Sequence, residues 1–176
     1  MPGPIYLEGD RLSLRTVERD GNDEQFVRRY WNRPEIRHWF PIAKPLQGAS
    51  LNDIIEVTDE NVPFLPCLNG DPVGFLWLFG IDDTAGRCEI GYWIRPEKRN
   101  NGYATDAAEL GLRYAFDERR LHKVMARVFD GNEPSRRVLE SLGFEREGHL
   151  RDHYYIDGEY VDTALFGLLA DDYSPR

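Results

Sequence analysis

Arg99-Asn-Asn-Gly-Tyr-Ala104 follows Pro96 closely and opens a stretch of helical periodicity. Asn100, Asn101 and Gly102 are the residue types that best tolerate positive φ, so the segment suits a tight, irregular turn. A helix starting there leaves its first N–H groups without partners in its own backbone, at the positive end of its dipole. A pyrophosphate would accept those donors, with Arg99 adding a charge-assisted bond and Thr105 a hydroxyl. The same residues also suit an ordinary Asn-Gly loop capping a surface helix.

A second group, Asn132-Glu-Pro-Ser-Arg-Arg-Val-Leu-Glu-Ser-Leu-Gly-Phe144, follows at the distance of one helix and one strand. Pro134 suits a first helical turn and Gly143 a C-terminal cap. Asn132 fits either an N-cap or a contact to a ligand amide or phosphate. Ser135 is either a proton donor to a leaving group or an exposed first-turn residue. Arg136 and Arg137 either face phosphates or sit on a solvated helix face. Glu89 lies in the apolar segment Arg87-Cys-Glu-Ile-Gly-Tyr-Trp-Ile-Arg95, where burial would raise a carboxylate towards neutrality and make it a base. Strict alternation groups Glu89 with Gly91 and Trp93, and Cys88 with Ile90, Tyr92 and Ile94. Either face is open to Glu89, and pairing with an arginine is the alternative to catalysis.

The elements that would position these groups are readable in outline. Arg11 to Val17 alternates as a strand. Asp20, Asn22 or Asp23 caps a helix whose stripe is Phe26, Val27, Tyr30 and Trp31, and Pro34 opens a short second helix. Ala49 to Val57 suits another short helix. Val62 to Leu68 reads as a strand, with Pro63 and Pro66 favouring an edge or irregular position. The Asn69-Gly70 hairpin signal joins it to Val73–Phe79, and Arg87–Arg95 completes an antiparallel meander. Helical spacing then runs from Tyr103 to Arg119, a strand from Val124 to Phe129, a helix from Glu133 to Leu142, and closing strands over Phe144–Leu150 and Val161–Leu168 around Asp157-Gly158.

Composition narrows the function classes. The chain has 176 residues and a formal charge of -9, with three lysines, nineteen arginines and 31 acidic residues. That balance disfavours nucleic-acid binding through a basic surface. It suits either a high-salt cytoplasm or a genome rich in arginine codons. No apolar run reaches the roughly 20 residues that cross a bilayer, and no leader is read at Met-Pro-Gly-Pro, so a cytoplasmic location is expected. Cys67 and Cys88 are expected as buried thiols. His38, His122, His149 and His153 form no metal-ligand spacing, and no metal is expected.

The two signatures together resemble the GNAT superfamily of N-acetyltransferases, most closely its RimJ/RimL-type ribosomal-protein branch. Arg99, Gly102 and Ala104 match the first position, first glycine and last small residue of that family's acetyl-CoA signature, and Glu89–Pro96 matches its approach strand. Asn100 departs from the glycine common in close relatives. The resemblance spans roughly residues 8–170 and implies one domain over 1–176. The implied fold is α+β, a splayed mixed sheet flanked by helices. It implies acetyl-CoA as co-substrate, held by Tyr92, Trp93 and Ile94, by Arg99, Asn100, Asn101, Gly102, Tyr103, Ala104 and Thr105, and by Asn132, Ser135 and Arg137. Val128 to Asp130 would face the other side of the gap. Glu89 would be the base and Ser135 the acid in direct attack without an acyl-enzyme. Trp31, Trp39, Phe40, Tyr154 and Asp162 would line the acceptor side. The expected acceptor is a protein or peptide N-terminal α-amino group. The alternatives are a small amine, such as a polyamine or amino antibiotic, or a CoA-binding protein without turnover. Such relatives occur as monomers and homodimers.

Overall fold

Residues 2–19, 21–41 and 44–175 are described by the computed structural model. The first strands, β1 (Ile5–Glu8) and β2 (Ser13–Arg15), pair antiparallel. Helices α1 (Asn22–Trp31), α2 (Pro34–Arg37) and α3 (Ala49–Ile55) follow. Then come β3 (Asn61–Leu68), β4 (Asp71–Pro72), β5 (Gly74–Asp82) and β6 (Arg87–Ile94). The C-terminal half is α4 (Tyr103–Arg113), β7 (Lys123–Phe129), α5 (Glu133–Ser141), β8 (Glu145–Ile156) and β9 (Glu159–Leu169). The sheet runs β1-β2-β3-β5-β6-β7-β9-β8, with β4 beside β3. This is the expected α+β architecture, mixed and open.

Alternation along β6 divides the core between the two faces of the sheet. Cys88, Ile90 and Ile94 pack with α4, while Trp93 joins Phe75, Trp77, Trp31 and Val27 beneath α1 to α3. Glu89 therefore shares the face of Trp93. Helix α4 lies close on the sheet because its inner stripe is small: a Cβ at Gly111 would stand 3.1 Å from Ile90 and Leu76 side chains.

Several expectations are corrected. β1, unread in the sequence, extends the sheet beyond β2. β3 is interior, and its prolines are tolerated because it changes partner midway: Asn61–Phe64 is in register with β5, and Leu65–Cys67 with β2. The helix at 103–119 is α-helical only to Arg113 and finishes in a π turn, Tyr114–Glu118. Helix α1 begins after Gly21, at φ 89° and without a side-chain cap; Asp23 is buried and instead accepts the Glu18 N–H at 2.8 Å. Asn22, a second candidate cap, is instead the first residue of the helix, and the third, Asp20, lies outside the described residues. β9 inserts antiparallel between β7 and β8, leaving β8 at the edge.

Candidate active site

The site begins where two strands part. β6 and β7 pair in parallel only at Arg87–Lys123, Cys88–Val124 and Glu89–Met125. Beyond that, β6 keeps β5 on one side as far as Ile94, and β7 keeps β9 as far as Phe129. The backbone of Ile90–Ile94 thus has no register partner in β7, and a wedge opens towards the start of α5. A cavity of about 400 Å³ fills this opening. Its walls include Tyr92, Trp93 and Ile94, the turn residues Arg99, Asn100 and Gly102, the start of α4 at Tyr103, Ala104 and Thr105, and Asn132, Ser135 and Arg137. Nearly all the residues expected to bind the cofactor therefore meet around one cavity.

The turn is held from several sides. Asn100 has φ 62° and Gly102 φ 81°, the left-handed geometry that Asn and Gly supply at least cost. Asn101 does not line the cavity. Its side-chain amide donates to the carbonyls of Lys98 (3.2 Å) and Arg99 (2.8 Å), and its own carbonyl accepts from Arg11 at 2.9 Å. Arg11 also grips Asp106 at 2.8 Å, pinning the turn to α4. Arg99 donates to two backbone carbonyls, of Ile94 (3.2 Å) and Glu35 (3.0 Å). Desolvation lowers its pKa below the ordinary arginine value. A cation held by neutral carbonyls, beside helix N–H groups that have no partner in their own helix, suits an anion.

At the opposite wall, Asn132 Oδ1 accepts the Ser135 N–H at 3.3 Å, so Asn132 caps α5 while lining the cavity. Arg136 is tied to Glu133 and Glu140, which leaves Arg137 as the arginine of the pair on the cavity wall. Ser135 Oγ lies 3.2 Å from the Tyr92 hydroxyl.

The acceptor end is only partly as expected. Trp39 and Phe40 line the cavity, joined by Ile36. Trp31 does not: it is 2 % exposed and packed against Phe40, Phe75, Trp77 and Trp93 as core. Glu89 stands just beyond the lining in a bidentate pair with Arg127, both bonds 2.7 Å. Arg127 does line the cavity and also donates to Tyr154 Oη at 2.8 Å. Its pKa is raised, first by the hydrogen bond to Glu89. Asp162 is set apart, accepting the Asp152 N–H and contacting His149 Nε2, each at 2.8 Å. The Asp152 N–H is the main reason that its carboxyl lies below the usual aspartate value. Arg127 went unread in the sequence. It is two residues beyond Met125, the register partner of Glu89, and so shares its face, a relation visible only once the parallel register is known.

Both cysteines are buried and form no disulfide, and burial pushes each thiol up to about 12, which speaks against a poised nucleophile. Among the described residues, no group of three His, Cys, Asp or Glu is placed to hold a metal, and no helix is long and apolar enough to cross a membrane.

The domain family described as acetyltransferase (GNAT) matches residues 11–145. The chain is 30% identical over 167 residues to the spermidine N(1)-acetyltransferase of Escherichia coli K12, covering 92% of this chain and 88% of that protein. The crystal structure of spermidine N-acetyltransferase from Vibrio cholerae, in complex with CoA and spermine, superposes with a TM-score of 0.85 at 26% identity. It covers 94% of this chain and 99% of that one. Mycobacterium smegmatis RimJ, in complex with CoA-disulfide, gives a TM-score of 0.76 at 26% identity over 97% of this chain and 87% of that chain. The chain belongs to the GNAT acetyltransferase family, and is an acetyl-CoA-dependent enzyme acting on an amine. The comparisons show the family and no single branch within it, since spermidine acetyltransferases match as strongly as RimJ/RimL-type proteins.

Proposed function

We propose that the acceptor is a polyamine of the spermidine class, acetylated at a primary amine. The observation that carries this is similarity along nearly the whole chain to spermidine acetyltransferases in both sequence and structure. The aromatic wall of Trp39 and Phe40 suits an aliphatic stem, and the chain's acidic balance suits a cation. The Arg99–Thr105 turn would hold the pyrophosphate, and the open backbone of Tyr92–Ile94 the pantetheine amides. Acetyl-CoA supplies the activated acyl group. Glu89 is held by Arg127, the arginine pairing that stands against a raised carboxylate; it would nonetheless take the amine proton through one water, because its partner Arg127 lines the cavity.

A protein N-terminal α-amine is the second reading. It is favoured by one feature: the described cavity lining includes Lys98, Arg99, Arg127 and Arg137 but no carboxylate. A polycation would therefore have to place its remaining charges outside the cavity. Purified protein given acetyl-CoA with spermidine and N-terminal peptides in competition decides between them by product mass. Preferential N-acetylspermidine supports the first reading; peptide acetylation with no spermidine product rejects it.

A further inference from the structure

Tyr92 and Ser135 reach the cavity from opposite walls, β6 and the first turn of α5, and their hydroxyls are 3.2 Å apart. The Tyr92 ring packs on the core beneath α4. Burial pushes its phenol up to about 12, so it keeps its proton, and remains a donor, throughout the neutral range. Ser135 is anchored as well, its N–H held by Asn132. A serine hydroxyl has one hydrogen and two acceptor lone pairs, and in a first helical turn its rotation is otherwise set by nearby backbone. A phenol donating to Oγ occupies one lone pair and directs the single serine hydrogen elsewhere.

We propose that Tyr92 is a positioning residue: its hydroxyl donates to Ser135 Oγ and thereby aims the Ser135 hydrogen into the cavity, at the sulfur from which the acetyl group departs. This rests on the acetyl-transfer reading of the site. In the reaction the amine nitrogen forms a C–N bond to the thioester carbonyl carbon. The C–S bond breaks with its electron pair passing to sulfur, and the surplus amine proton leaves to Glu89 or water. The sulfur anion accepts the Ser135 hydrogen bond and is later protonated by solvent. Ser135 thus acts by its hydrogen bond and not as the acid that the resemblance implies, because a thiolate is too weak a base to take a serine proton; Tyr92 likewise keeps its own.

The test uses free CoA as the probe, titrating the thiolate absorbance of the bound thiol. In the wild-type complex the thiol should titrate below that of free CoA. Ser135→Ala should raise it by about one pH unit, and Tyr92→Phe by part of that. Tyr92→Phe should add nothing in the Ser135→Ala background. Turnover should follow, with Tyr92→Phe lowering kcat several-fold at unchanged KM for acetyl-CoA. An unmoved thiol titration in a Tyr92→Phe protein that still binds CoA overturns the proposal. So does an equal shift in both backgrounds. Failure of the wild-type protein to bind CoA would overturn the acetyl-transfer reading itself.

Discussion

Replacing Glu89 with glutamine separates the two duties open to this residue, holding Arg127 and accepting a proton. The pair comprises two charge-assisted bonds of 2.7 Å, with side chains 20 % (Glu89) and 36 % (Arg127) exposed. Exposed pairs contribute about 0–1 kcal/mol, and breaking a buried one costs about 3–5 kcal/mol. With screening at this depth, and one neutral acceptor left by glutamine, the expected stability loss is about 1–2 kcal/mol. For a chain of this size that lowers Tm by about 2–8 °C. A general base contributes about 100- to 10,000-fold, or about 3–5 kcal/mol of barrier, well above the loss of the ion pair. Steady-state thiol release at saturating acetyl-CoA and varied amine should therefore show kcat/KM falling at least about 100-fold. CoA affinity should be unchanged by calorimetry. Arg127→Gln, which breaks the same pair but keeps the carboxylate, should lose comparable stability and far less activity. A fall below about 5-fold in Glu89→Gln, or equal losses in both variants, would refute Glu89 as the base and leave the ion pair as its whole role.

Three further outcomes follow from the geometry. Gly102→Ala places a Cβ at φ 81° and 2.8 Å from Arg11 Nη2, costing about 1–2 kcal/mol in thermal melts and weakening CoA binding several-fold by calorimetry. With both thiols pushed up to about 12, a thiol reagent at pH 8 should label neither Cys67 nor Cys88 in the folded protein and both in denaturant; one fast-reacting native thiol would contradict this. The Asp162 carboxyl is held down mainly by the Asp152 N–H, so its folded pKa lies below its unfolded one. Its contribution is thus complete above the ordinary aspartate value near about 3.9 and lost as pH falls through the lowered one, which the Asp152 amide shift in an NMR titration should report.

Local chemistry made much of this fold legible. Asn69-Gly70 and Asp157-Gly158 both adopt positive φ at consecutive residues, as their types foretell, and each closes its hairpin. Gly143, at φ 91°, follows α5 where a C-terminal cap was expected, with the Phe144 N–H returning to the Leu139 carbonyl at 3.0 Å. The turn before α4 was legible because only a few residue types accept its backbone. β1 was missed because four residues, with only Leu7 buried, carry too little periodicity to be seen.

What the sequence determined by itself was the set of turns, caps and alternations, because these depend on sterics within a few residues of chain. It also determined which groups were available to bind a pyrophosphate. The tertiary structure decided which of them meet. It buried Trp31, which the resemblance had placed on the acceptor side, brought Arg127 onto Glu89 through a parallel register, and set Tyr92 against Ser135 across 43 residues. Register and the parting of β6 from β7 arise from packing on both faces of the sheet at once, and no local window of the chain contains that information.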